Sequence, residues 1–227
     1  MNIVITGAGR GIGLAMVAHF LKTTEHHIWA CSRDISALQA LSSPRLSVSS
    51  LDIAAASKAE ITTLVSARFA EVDVLIHNAG VLVNEAFETS SLEDWRRVFE
   101  VNVFSAVKIN QALLPLLRKS VGAHVVHIGS MGGVQGSSKF PGLSAYSASK
   151  AALANLTECM AEELKSTGIH VNCLALGAVD TEMLRQAFPD YTAGTSSEEM
   201  AAFICDFSLN SRAFFNGKTL SVASSTP

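Results

Sequence analysis

The stretch Ile3-Val4-Ile5-Thr6-Gly7-Ala8-Gly9-Arg10-Gly11-Ile12-Gly13 decides the fold. It opens with a short β-branched run, passes through a glycine-rich turn and enters a segment with helical period from Gly11 to Lys22. Glycine serves such a turn in three ways: it accepts positive φ, it lets a backbone approach a pyrophosphate, and it lets the helix pack close to the strand. The helix that follows points free N–H groups and the positive end of its dipole at the phosphates. Gly7, Gly9, Arg10, Gly11, Ile12 and Gly13 are therefore candidate dinucleotide contacts. An ATP-type loop would need Gly-x-x-x-x-Gly-Lys-Ser/Thr, and no Lys-Ser or Lys-Thr follows the glycines here.

Outward from this turn, short apolar runs alternate with helix-length segments. Strands are expected at Ile3 to Ile5, Ile28 to Cys31, Leu46 to Leu51, Val74 to His77, His124 to Ile128, Val171 to Ala175 and Thr219 to Val222. Each run is near-continuous rather than alternating, as in strands covered on both faces of a parallel sheet. Helices are expected at Gly11 to Lys22, Ser57 to Ala70, Leu92 to Lys119 and Ala145 to Lys165. The alternation predicts an α/β, doubly wound parallel sheet with helices on both faces. No linker or repeat divides residues 1–227, so a single domain is expected.

The composition agrees. Of 227 residues, 48% are hydrophobic and only 16% charged, enough to bury a large core. A net charge of -3 offers no electrostatic footprint for nucleic acid or anionic membrane. No stretch is long and apolar enough to span a bilayer, and the N-terminus runs into a strand rather than a signal sequence. Cys31, Cys159, Cys173 and Cys205 are widely spaced, which suits free thiols in a reducing cytoplasm. The histidines form no His-Glu-x-x-His, and His124 and His127 fall on opposite faces of a strand, so no metal site is expected.

At the end of the second strand, where an acidic residue would bind a ribose 2′-hydroxyl, the chain carries Ser32-Arg33 with Asp34 one step on. A small residue followed by a guanidinium suits a 2′-phosphate. Arg10 is expected over the same end, and Asp52, with Ile53 beside it, near the adenine amino group. NADP(H) is favoured over NAD(H).

Ser144-Ala145-Tyr146-Ser147-Ala148-Ser149-Lys150 places a phenol and an amine on one helical face. Bringing a phenol from its usual pKa near 10 to neutrality takes about 4 kcal/mol, which a neighbouring ammonium and a cationic nicotinamide are expected to supply. Ser130 ends the fifth strand and can donate to a carbonyl oxygen gaining charge. It has Ile128 two residues earlier, which excludes the Gly-x-Ser-x-Gly of a serine hydrolase. Asn102 interrupts the helix Leu92 to Lys119, where its amide is expected to bend the ladder and hold a water toward Lys150.

These motifs, in order, resemble the short-chain dehydrogenase/reductase family over essentially the whole chain: the glycine turn, Asn78-Ala79-Gly80, Ser130, and Tyr146 with Lys150. The resemblance implies a seven-stranded, Rossmann-type sheet and a catalytic tetrad of Asn102, Ser130, Tyr146 and Lys150. In that scheme Tyr146 exchanges the proton, Ser130 orients the carbonyl, Lys150 binds the nicotinamide ribose and lowers the phenol's pKa, and Asn102 holds the relay water. It also implies that Asn78, Ala79 and Gly80 line the adenosine side, and that Gly177, Val179 and Thr181 line the nicotinamide. The expected activity is hydride transfer between NADP(H) and a carbonyl or secondary alcohol of a small, largely apolar substrate. The alternative is an NADP(H)-binding sensor without turnover.

Three departures from the family pattern stand out. Leu176-Gly177 replaces the usual Pro-Gly, the spacing from Ser130 to Tyr146 is longer, and the segment Glu182 to Ser197 is short for a lid. Substrate loops are expected at about 131–144 and 178–197, with Phe140, Met183, Leu184, Phe188 and Tyr191 as pocket or interface residues. A homodimer or homotetramer is expected through the long helices, because Leu113, Leu116, Leu117, Leu153, Leu156 and Met160 exceed one packed stripe.

Overall fold

The computed structural model describes residues 1–223. Seven strands form one sheet in the order β3-β2-β1-β4-β5-β6-β7: β1 (Asn2–Thr6), β2 (His27–Ser32), β3 (Leu46–Ser50), β4 (Val74–His77), β5 (His124–Ser130), β6 (His170–Leu176) and β7 (Lys218–Val222). Every pairing is parallel. Eight α-helices connect them: α1 (Gly11–Thr23), α2 (Ser36–Ala40), α3 (Lys58–Ser66), α4 (Leu92–Phe99), α5 (Ser105–Leu117), α6 (Ser144–Glu163), α7 (Glu182–Ala187) and α8 (Ser197–Asn210). The seven expected strands and the doubly wound architecture are present.

Strand alternation distributes the apolar side chains between two cores. Ile3 and Ile5 of β1 join Ile28, Ala30, Ile76 and Val126 beneath Met16, Val17 and Phe20 of α1 and Ile204 and Phe207 of α8. Val4, Trp29, Leu75, Val125 and Val171 face the opposite way, under Ile61 and Val65 of α3 and Ile109 and Leu113 of α5. Each fully buried Ile, Leu or Val contributes about 1.5–3 kcal/mol of apolar transfer energy, so the sheet is held from both sides. Helix starts are set by local caps: the Ser57 and Ser91 hydroxyls accept from Glu60 N and Asp94 N, and Ser196 forms a capping box with Glu199.

Two expectations are corrected. The segment Leu92 to Lys119 is not one helix, because a π-helical turn at Glu100–Phe104 separates α4 from α5. The apolar residues offered for self-association are largely used within the chain: Leu113, Leu116, Leu117 and Leu153 are buried in it. The amphipathic excess was only apparent, since α5 and α6 pack on the sheet and on neighbouring elements together.

A polar seam crosses the buried sheet. His127 Nδ1 donates to Thr157 Oγ1 at 2.8 Å, while Asn110 Nδ2 donates to His127 Nε2 at 3.0 Å. His77 stands edge-on to His127, with ring centroids 6.1 Å apart, and Thr6 and Ser105 flank it. His124 faces the other side of the sheet, 2.9 Å from Ser208 O. Burial, the largest cause, drives His127 down to about 3, His124 to about 4 and His77 well below its ordinary value. These rings stay neutral in the fold but bind protons once unfolded, so their contribution is complete above pH about 6.5 and declines as pH falls toward the folded values. His127→Gln is expected to flatten the acid side of the stability profile by about one proton, measured by urea unfolding between pH 7 and 4.5. An unchanged slope would refute the neutral-histidine account.

Candidate active site

Strand order reverses direction between β1 and β4, and the main cleft, about 510 Å³, opens at the carboxyl edge of the sheet at that point. This is where doubly wound sheets take ligands. Gly7 turns out of β1 at φ +65, and α1 then starts at Gly11. Its N-cap, Arg10, makes no side-chain capping bond, and no carboxylate lies in the first turn, so the helix's leading N–H groups face the cleft uncapped by a side chain. Gly13 packs so tightly that a Cβ there would come within 2.2 Å of Gly7 O. Asn78 Nδ2 donates to Gly7 O at 2.9 Å, and Ala79 N donates to Thr6 Oγ1 at 3.2 Å, which ties the turn to the end of β4. Asn78 thus acts through the loop backbone; Thr6, whose hydroxyl makes this tie, had no signal in sequence beyond its place beside the glycines.

Gly7, Arg10, Gly11, Ile12, Ser32, Arg33, Asp52, Ile53, Asn78, Ala79, Gly80, Gly177, Val179 and Thr181 all line the cleft. Gly9 and Gly13 lie behind it: a Cβ on Gly9 would meet Ser32 Oγ at 2.5 Å. Three local contacts bear on these residues. Arg10 is drawn toward α7, where Nη1 donates to Glu182 Oε2 at 2.8 Å, instead of lying with Arg33. Both partners are more than half exposed, so this pair is weak and readily exchanged. Asp34 accepts from Ser36 N and Oγ, a local turn that holds its carboxyl below the usual range. Thr181 Oγ1 accepts from Leu184 N at 3.1 Å as the N-cap of α7. The cleft also contains residues without a motif, among them Leu51, Val81, Arg97 and Val101. Behind it, Lys108 Nζ donates to the Ile53 and Ala54 carbonyls and pairs with Glu100. Only the folded crossing of α5 past the β3 loop could reveal that tie.

The four proposed catalytic side chains converge at the other end. Ser130 ends β5, where its Oγ accepts from Gly132 N at 3.2 Å, and it lines the cleft together with Tyr146 of α6. Lys150 lies one turn further along α6, with Nζ 5.7 Å from the centre of the Tyr146 ring and donating to Ile128 O at 2.8 Å. Asn102 sits in the π-helical turn and is fully buried. Its Oδ1 accepts from Val81 N at 2.8 Å, and its Nδ2 donates to Val81 O at 3.0 Å and to Ser149 Oγ at 2.9 Å. The amide's two N–H donors and one acceptor position of its oxygen are thus engaged with protein groups that position the β4 loop against α6.

The electrostatics also differ from expectation. Burial raises the Tyr146 phenol, and the Ser130 hydrogen bond offsets this only in part. Burial lowers Lys150 to about 8, with the Cys173 thiol opposing. Burial thus moves the two groups in opposite directions, because each is penalised for leaving water in its charged form. Among the described residues no cluster of three or more metal-ligating side chains is present, and no helix is long and apolar enough to cross a membrane.

The short chain dehydrogenase family model matches residues 1–192. The 3-oxoacyl-[acyl-carrier-protein] reductase FabG of Escherichia coli K12 is 28% identical over 96% of this chain and 94% of its own length. The rhamnolipid-biosynthesis 3-oxoacyl-[acyl-carrier-protein] reductase of Pseudomonas aeruginosa is 31% identical over 96% of this chain and 93% of its own. Among solved structures, a short chain dehydrogenase of Shigella flexneri complexed with NADP superposes with a TM-score of 0.86 at 24% identity, covering 97% of this chain and 95% of that one. A 3-ketoacyl-(acyl-carrier-protein) reductase of Brucella melitensis complexed with NADH gives 0.84 at 23%, covering 97% and 96%. With the family match running from the glycine turn past the Tyr146 helix and into the loop after β6, the chain belongs to the short-chain dehydrogenases.

Proposed function

We propose that this oxidoreductase reduces a carbonyl of a small, largely apolar substrate with NADPH, using Tyr146 as the acid. One observation carries the reading: Ser130, Tyr146 and Lys150 line the same cleft as the glycine turn, with the buried Lys150 amine 5.7 Å from the centre of the Tyr146 ring. The dinucleotide fits this cleft. Uncapped N–H groups of α1 can take its pyrophosphate, and Gly7, Gly11 and Gly80 let its chain approach the backbone. When bound, the reduced nicotinamide supplies a hydride to the carbonyl carbon. Ser130 donates a hydrogen bond to the carbonyl oxygen, and Tyr146 transfers its hydroxyl proton there as charge develops. The phenol's raised pKa suits this direction, since it holds the proton until an acceptor arrives. Lys150, still mostly charged at neutral pH, faces the resulting phenolate.

Arg33 supports NADPH over NADH. It lines the cleft beyond Ser32, whereas Asp34 is not among the cleft-lining residues and its Oδ1 is turned to Ser36 N and Oγ of its own loop. Arg33→Asp is expected to lower the NADPH:NADH affinity ratio by at least about tenfold, read by fluorescence titration of both cofactors. Equal ratios before and after would refute the role. The relatives' names suggest 3-oxoacyl thioesters as one substrate class to include in the test. That test mixes protein, NADPH and a panel of ketones, aldehydes and thioesters and follows NADPH absorbance. Binding without oxidation of NADPH across the panel would favour the sensor reading. We also retain a cytoplasmic location and self-association, the latter now on exposed Leu92 and Phe104. A monomer by sedimentation would reject it.

A further inference from the structure

Five apolar side chains expected only as pocket or interface residues wall one end of the cleft: Phe140, Met183, Leu184, Phe188 and Tyr191. None belongs to either buried core, so their grouping is not a by-product of packing the sheet. Phe140 and Phe188 come from different loops yet stand edge-to-face, with centroids 6.1 Å apart. Phe140 belongs to the stretch where the Ser130-to-Tyr146 segment is longer than the family pattern, and Phe188 follows directly on the short helix α7.

The backbones carrying these rings are fastened to a third loop. Asn84 Nδ2 donates to Ala187 O at 2.8 Å, next to Phe188, and Glu85 N donates to Gly142 O at 3.0 Å, two residues from Phe140. The ring pair is thus presented on a braced frame, though Phe140 keeps 38% and Tyr191 48% of its surface open. Large rings left partly uncovered in the same cleft as Ser130 and Tyr146 form a wall that an apolar ligand would complete.

The charges around this end point the same way. Lys139 Nζ donates to Val134 O at 2.6 Å and to Ser137 Oγ at 2.7 Å; Arg185 pairs with Asp180, and Arg10 with Glu182. Each of these cations already has an oxygen partner. Glu85 and Asp190 meanwhile stand exposed on the clasped loops. A substrate bearing phosphates, such as a phosphopantetheine-linked thioester, would meet the Glu85 and Asp190 carboxylates here and would have to displace the oxygen partners of these three cations.

We infer that Phe140 and Phe188 form an aromatic clamp that selects a neutral aryl ketone or aldehyde. This deepens the carbonyl-reductase reading and rests on it. In the step implied, NADPH gives a hydride that forms the new C–H bond at the carbonyl carbon, and the C=O π bond opens. Tyr146 gives the proton to oxygen, leaving a benzylic alcohol and NADP+.

The test compares kcat/KM for propiophenone, butanone and acetoacetyl-CoA with NADPH as reductant. The wild-type protein is expected to favour propiophenone over each of the others by at least about tenfold. Phe140→Ala and Phe188→Ala are each expected to reduce the propiophenone:butanone ratio by roughly tenfold, equivalent to about 1.4 kcal/mol. Phe140→Tyr, which keeps the ring, is expected to hold that ratio within a few-fold. The ratio is taken within one protein sample, so partial misfolding cancels. Preference for acetoacetyl-CoA, or an unchanged ratio in both alanine variants, overturns the clamp while leaving the reductase intact. Failure of every substrate in a protein that binds NADPH overturns the reductase reading and the clamp with it.

Discussion

Tyr146→Phe is expected to lower kcat for carbonyl reduction by about 10²–10⁴-fold, the range in which a positioned general acid contributes. The substitution removes one oxygen and keeps the ring against Lys150, so NADPH affinity should change little by comparison. Pre-steady-state absorbance with saturating NADPH separates the two effects. Activity within a few-fold of wild type would reject Tyr146 as the proton donor. The wild-type pH profile supplies a second check. Lys150 titrates at about 8, so its positive charge beneath the phenol is present below that pH and lost above it. The rate of reduction should therefore fall as pH rises through about 8, because the phenolate left after proton transfer loses its cationic neighbour.

Gly13→Ala is expected to raise the NADPH dissociation constant by at least about 100-fold. The added methyl would stand 2.2 Å from Gly7 O, 2.7 Å from Asn78 Nδ2 and 2.9 Å from Ala8 Cα. Two of these are backbone atoms, so no rotamer change relieves the clash. Either the turn or the start of α1 must shift by about an ångström, and a displacement of that size in a binding frame carries a penalty of about 10². Fluorescence titration of NADPH measures the loss, with circular dichroism reporting whether the sheet remains formed. Wild-type affinity in a folded Gly13→Ala protein would show that this tight packing does not define the cofactor site.

The two substitutions probe parts of the site that differ in how readily they were read. The glycine turn was legible because its requirement is local: positive φ at Gly7 and contact across a few residues at Gly13 belong to one stretch of chain. Tyr146 and Lys150 were legible for a related reason, since four residues on one helix determine their separation. Asn102 was readable as a position but not as a set of contacts. Its amide partners are 21 and 47 residues away, and they engage it only because the π-helical turn re-aims it at Val81 and Ser149. Arg10 behaves likewise: its partner Glu182 is 172 residues along the chain, brought close only when α7 folds back over the glycine turn.

What the sequence determined by itself was what repeats with a short period or sits in one turn: the seven strands, the glycine turn, and the placing of Tyr146 and Lys150 one turn apart on a single helix. Backbone sterics and side-chain periodicity act over a few residues, so these features precede any tertiary contact. The tertiary structure decided how α5 and α6 use their leucines, which charges remain free, and which way the Tyr146 and Lys150 pKa values move. Each depends on desolvation and on partners distant in sequence. Burial raises the phenol and lowers the amine because water is excluded from both together, a condition that exists only once the sheet edge, α6 and the loops around the cleft have closed on one another.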